Sequence, residues 1–237
     1  MIAICVTALA LVTANASVTP IAVAVIAPRD ITDSLVNRIC AEAGAIWAPA
    51  GIALKWNRDG ATHEARGLTL EVTIDDRPTP AGRDGALGWV TFTSERPEHF
   101  IHLSRASAEE LLRSTPGLND ATIASHEALI GRALGRALAH ELGHYILRSK
   151  VHMGRGLMRA TWTSDQTFAV IREGFELSSQ ERATALGHLR MELACLAANH
   201  NVQQLLRIWR RQERPRHVLE ERIYRNRCVE GWSMVIP

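Results

Sequence analysis

Lysine is nearly missing from this chain: of its 27 basic residues only Lys55 and Lys150 are lysines, and arginine supplies the rest. The bias runs along the whole length, so it reflects the base composition of the coding sequence and not a binding patch. An excess of either charge is missing as well. A formal net charge of +2 gives no reason to expect nucleic acid or an acidic surface as the partner. No stretch approaches the roughly 18 uninterrupted apolar residues of a bilayer-spanning helix, so no stable membrane insertion is expected. Cysteine is sparse, and Cys5, Cys40, Cys195 and Cys228 show no Cys-x-x-Cys spacing, which excludes a zinc knuckle and a dense disulfide framework. There is no internal repeat and no long low-complexity segment.

What remains is an ordinary globular composition, 46% hydrophobic and 22% charged over 237 residues, enough for one domain with an appendage. Met1 to Ala16 reads as a signal peptide. Its apolar run from Ile2 to Val12 ends in the small-x-small triplet Ala14-Asn15-Ala16, although no lysine or arginine precedes the run. A secreted or periplasmic location follows as an expectation. Cleavage would leave Cys40, Cys195 and Cys228, with one disulfide among them left open. The folded domain is expected over 17–197, followed by an arginine-rich helical or disordered tail over 198–237.

Within the domain, Ile21 to Ile26 reads as a buried strand closed by Pro28. Ile31, Leu35, Ile39, Ala43 and Ile46 recur at helical spacing until Pro49 and Gly51 end the helix. Strands are predicted at Ile52 to Trp56, Leu68 to Ile74, Trp89 to Thr93 and His99 to Leu103. A helix and loop fill Ala106 to Asp120, and a long helix runs from about Ser125 to Leu147. Ser178 with Glu181 forms a capping box that opens a last helix to about Ala197. This order predicts an α+β domain, α/β-like in its upper part. Gly131, Gly135, Ala139 and Gly143 form a smooth stripe on the long helix, read as close packing under a sheet.

That helix carries His140-Glu141-Leu142-Gly143-His144. Residues four apart leave one helix face one turn apart, so both imidazoles reach one zinc ion. Glu141 is placed to take a proton from water without being forced to bind metal. His152, eight residues after His144, is the favoured third ligand, with Asp165, Glu173 and Glu176 as alternatives. His102 is read as structural, with substrate contact as the alternative, Arg132 and Arg136 as solvated or ion-paired, and Tyr145 as core or a transition-state aid. His126-Glu127 lacks a second histidine and is no second metal motif. Arg159 is a candidate for shaping a specificity pocket.

These residues resemble the metzincin clan of zinc peptidases, which carry His-Glu-x-x-His-x-x-Gly-x-x-His and then a methionine turn. Gly156-Leu157-Met158 looks like that turn, which implies Met158 as the floor of the site. The resemblance implies a twisted mixed sheet with an edge strand, an active-site helix beneath it and a small helical C-terminal subdomain. It implies one catalytic zinc, a peptide or protein substrate, and pairing of that substrate with the edge strand at Trp89, Val90 and Thr91. Leu147 stands where the clan has its glycine, and Lys150 where it has its third histidine. Two other functions stay open: a non-catalytic metal-binding or protein-interaction module, and a zinc hydrolase of a non-peptide amide.

Overall fold

The computed structural model describes residues 21–58, 69–76, 85–118 and 122–212. The expected signal segment, Cys5, Cys228 and the tail beyond residue 212 lie outside the described residues. In chain order the elements are β1 (Ile21–Ile26), α1 (Asp33–Trp47), β2 (Leu54–Asn57), β3 (Thr69–Asp75), β4 (Gly88–Thr93), β5 (Arg96–Ser104), α2 (Arg105–Ser114), α3 (Ile123–Leu147), α4 (Ser164–Phe168) and α5 (Ser179–Gln212). The five strands form one sheet in the order β2-β1-β3-β5-β4. β1, β2, β3 and β5 are parallel, whereas β4 runs antiparallel to β5 at the edge. This is an α+β fold with a mixed sheet.

β3 shows why one sheet face is covered. Leu70, Val72 and Ile74 are buried, while Thr69, Glu71, Thr73 and Asp75 between them are only half-buried. Side chains alternate along a strand and register partners share a face. Val23 and Val25 of β1 and Ile101 and Leu103 of β5 therefore join the same apolar layer. Trp89 and His102 fall on the opposite face, where their rings stack with centroids 5.1 Å apart. Burial of the inner layer beneath α1 and α3 is the main term holding the fold together.

α1 starts where the Thr32 hydroxyl accepts from the Leu35 amide at 3.1 Å, and it ends at a 3-10 turn, Ala48–Ala50, followed by Gly51 at φ 78°. Its buried face carries Leu35, Val36, Ile39, Ala43, Ile46 and Trp47, and the Trp47 indole donates to the Ala139 carbonyl of α3 at 3.1 Å. Gly131 and Gly135 of the α3 stripe serve this helix contact and not the sheet, contrary to the expectation from sequence. A Cβ on Gly131 would lie 2.7 Å from the Arg38 Cβ, and one on Gly135 would lie 2.5 Å from the Glu42 Cβ and 2.9 Å from the Ile39 carbonyl oxygen. The sequence shows that a stripe is small but not which neighbour uses it. Gly135→Ala is expected to destabilise the fold by about 1 kcal/mol or more, because overpacking against main chain outweighs the ~1 kcal/mol gain in helix propensity. Urea unfolding measures this, and a stabilised variant would show that the two helices can part at no cost.

Ser178 and Glu181 cap α5 reciprocally, at 2.7 and 3.2 Å, as the sequence predicts. The helix then continues to Gln212, past the expected end near Ala197. Cys40 and Cys195 are both free, Cys40 buried and Cys195 exposed. Burial pushes the Cys40 thiol up to about 12, with Arg58 partly opposing the shift. Among the described residues no helix is long and apolar enough to cross a membrane.

Candidate metal centre

His140 and His144 leave one face of α3 and are both buried. Each ring is fixed from behind. His140 Nδ1 donates to the Leu157 carbonyl at 2.8 Å, and His144 Nδ1 to the Ser149 carbonyl at 2.6 Å. α3 stops at Arg148, which takes the left-handed conformation (φ 52°) and reverses the chain, with Ser149 donating back to the His144 carbonyl at 3.2 Å. Lys150 then anchors the returning loop to the β4–β5 turn, donating to the Ser94 carbonyl at 2.7 Å with its ammonium over the Phe92 ring. Two residues later His152 arrives at the cluster.

The three imidazoles converge. His144 Nε2 lies 3.0 Å from His140 Nε2 and 3.2 Å from His152 Nε2, and the three ligand atoms fall within 4.8 Å of one another. With Nδ1 of His140 and His144 spent as donors to carbonyls, the Nε2 atoms of the neutral rings present lone pairs. Two lone pairs 3.0 Å apart repel unless a cation lies between them. Burial, the main cause, drives the His140 pKa down to about 3, with His144 and His152 adding to it and the Leu157 hydrogen bond opposing it. That ring is therefore a neutral donor over the whole physiological range. The set fits a metal ion that takes nitrogen ligands, and the paired carbonyls are the outer partners that orient such ligands. Asp165, Glu173 and Glu176 are exposed and do not belong to the cluster.

Below the cluster lies the turn predicted from Gly156-Leu157-Met158. Gly156 sits at φ 76°, and a Cβ on it would meet the Glu176 carbonyl oxygen at 2.7 Å, so only glycine fits. The Leu157 amide bonds that same carbonyl at 2.9 Å, and the Met153 amide bonds the Met158 carbonyl at 2.7 Å. Met158 is buried with its sulfur under Gly143, where a Cβ would overlap it. The smallness of Gly143 is therefore a requirement of this turn.

Glu141 is buried and its Oε2 accepts from the Val90 amide of β4 at 2.9 Å. Which main-chain groups of β4 face outward follows from one bond. Ser104 N donates to Leu87 O, so Leu87–Ser104 is a hydrogen-bonded pair, and the alternation makes Trp89–His102 the next one. Gly88 and Val90 consequently point their N–H and C=O groups to the free edge. Thr91 falls at the register shift between Val90 and Phe92. Of the three residues predicted to meet substrate, Val90 has free-edge backbone groups, whereas the Trp89 main chain pairs inward. Trp89, Val90 and Thr91 all line a cavity of about 890 Å³ whose walls also include His140, Glu141, His144 and His152 and the side chains of Leu111, Ala133, Ala137, Thr167 and Phe175.

Arg136, one turn before His140, takes the ion-paired of its two expected places. It is 1% exposed and not solvated. Its Nε pairs with Glu42 at 3.0 Å, and its other N–H groups reach the carbonyls of Gln166, Thr167 (3.2 Å), Ala169 (2.8 Å) and Ile171 (2.8 Å). The guanidinium also lies 4.6 Å over the Phe175 ring. All five donors are used, so the 166–171 segment, whose Thr167 lines the cavity, is fastened to α3. The signal was present in the sequence at Glu42, a carboxylate set on the apolar face of α1 between Ile39 and Ile46, which demands a buried cation. Trp162 escaped notice; its ring meets His140 edge-on at 5.0 Å and stacks on Phe175.

The remaining candidates have structural places. Arg132 bonds the Phe168 carbonyl, Arg159 bonds Gln166 Oε1 at 2.6 Å, and Glu127 pairs with Arg38. The buried Tyr145 hydroxyl bonds His99 Nδ1 at 2.9 Å.

Fold and cluster together define an α+β domain carrying a candidate metal centre of three histidines. Among solved structures the chain is similar to the crystal structure of archaemetzincin from Methanopyrus kandleri, at 16% sequence identity and a TM-score of 0.43, covering 73% of this chain and 97% of that one. No protein-family model matches the chain, and no curated protein sequence does. The functional reading therefore rests on the side chains just described.

Proposed function

We propose that this chain is a zinc-dependent peptidase in which His140, His144 and His152 hold one zinc ion and Glu141 is the general base. The observation that carries the reading is the convergence of three Nε2 atoms beside a buried carboxylate that touches a sheet edge. Zinc supplies Lewis acidity toward a substrate carbonyl and toward water when bound there. The Glu141 carboxylate takes a proton from the attacking water and delivers it to the departing amine. Gly88 and Val90 offer main-chain groups to an extended peptide, which β4 receives as an added strand. Leu111, Ala133, Ala137 and Phe175 give a substrate side chain an apolar place to enter. With Met1–Ala16 as an export signal, the substrate would be met outside the cytoplasm.

Zinc content of the purified chain tests this reading. Wild type and Asp165→Ala are expected to carry about one equivalent each, and His152→Ala to lose tight binding, since removing one of three protein ligands dismantles the set. Zinc retained in His152→Ala but lost in Asp165→Ala would overturn the ligand set. Wild type without zinc would overturn the function.

A further inference from the structure

The main-chain amide of Val90 faces two claimants. Its N–H lies on the free edge of β4, where an added peptide strand would place a carbonyl, yet it donates to Glu141 Oε2 at 2.9 Å. The carboxylate arrives from α3 beneath the sheet and lies against Gly88, where a Cβ would sit 3.4 Å from Glu141 Cγ and 2.8 Å from Leu103 Cδ2. Gly88 thus leaves the space through which the Glu141 side chain reaches the edge. A charged acceptor on an edge amide is a strong contact and also blocks pairing there.

Resting on the peptidase reading, we propose that Val90 N–H is a shared positioning group: it holds the Glu141 carboxylate in the peptide-free chain and passes to a substrate carbonyl when a strand adds to β4. One donor cannot serve both acceptors at full strength. Docking of the peptide backbone therefore releases the carboxylate from the edge at the moment a substrate is present. Occupancy of the edge and freedom of the base become one event, and side-chain identity plays no part in it.

The test uses the full chain as purified and a blocked alanine-leucine hexapeptide whose central amide is reduced, so that it binds without being cleaved. Amide exchange at Val90 and probe affinity are measured for wild type, Glu141→Ala and Glu141→Gln. Without probe, Val90 N–H should exchange about tenfold faster in Glu141→Ala than in wild type, the loss expected for a hydrogen bond to a charged group. Glu141→Gln keeps an acceptor oxygen and should stay near wild type. The probe should bind Glu141→Ala about tenfold more tightly than wild type and restore slow exchange at Val90. Unchanged Val90 exchange in Glu141→Ala, equal probe affinity in wild type and Glu141→Ala, or a bound probe that leaves Val90 unprotected would each overturn the proposal. Failure of the peptidase reading shows elsewhere, as absent zinc-dependent cleavage of the all-amide hexapeptide by wild type.

Discussion

Glu141→Gln should keep its zinc and lose peptide hydrolysis by about two to four orders of magnitude, the usual contribution of a positioned general base. The substitution is nearly isosteric and retains an acceptor for the Val90 amide, so β4, α3 and the three histidines stay in place. What it removes is the ability to take a proton. Measuring kcat/KM alongside zinc content separates the possibilities. A variant within about tenfold of wild type would place the base elsewhere. Zinc lost together with activity would place Glu141 among the residues that hold the metal.

Arg136→Met should cost about 3–5 kcal/mol, the cost of removing one member of a buried ion pair, and lower the unfolding midpoint by on the order of 10 °C. Four carbonyls between residues 166 and 171 lose donors at once, and the buried Glu42 loses the more buried of its two arginines. Arg172→Met provides the contrast. Arg172 meets the same carboxylate at 2.7 Å, but its side chain is 45% exposed, so solvent screens the pair and the loss should stay below about 1 kcal/mol. Equal effects for the two variants would show that burial does not govern this network. Because Arg136 fastens the segment that carries Thr167 of the cavity lining, its loss should also loosen the cavity wall.

The histidine pair was legible because a helix converts a spacing of four into a shared face, and His152 because a short loop after a helix end can return to it. The strands were legible for a similar reason: β3 alternates residue by residue. Partnerships across the chain were not. Nothing local shows that Gly135 faces Glu42, that Trp47 bonds Ala139, or that the stripe on α3 serves a helix at Gly131 and Gly135 and the methionine turn at Gly143. The free-edge roles of Gly88 and Val90 needed the register with β5, which a sequence does not contain. Arg136 lay between the two cases. Its partner Glu42 was conspicuous on an apolar face, but the four carbonyls it binds belong to a segment without periodicity.

The parallel core of the sheet bears on the order in which the molecule assembles. β1 pairs with strands that begin at residues 54 and 69, and β3 with one that begins at residue 96; only β4 and β5 close through a tight turn, at Ser94-Glu95. Each parallel pairing waits on a distant crossover, which makes such sheets slow to form. The cover is completed later still, since α3 starts at Ile123 and docks on α1 through Trp47 and Ala139. Made from its N-terminus, the chain emits every strand of the apolar layer before α3, the second of the two helices that shield it. A nascent copy is thus expected to depend on chaperones until α3 has emerged, and to aggregate if it stalls before residue 147.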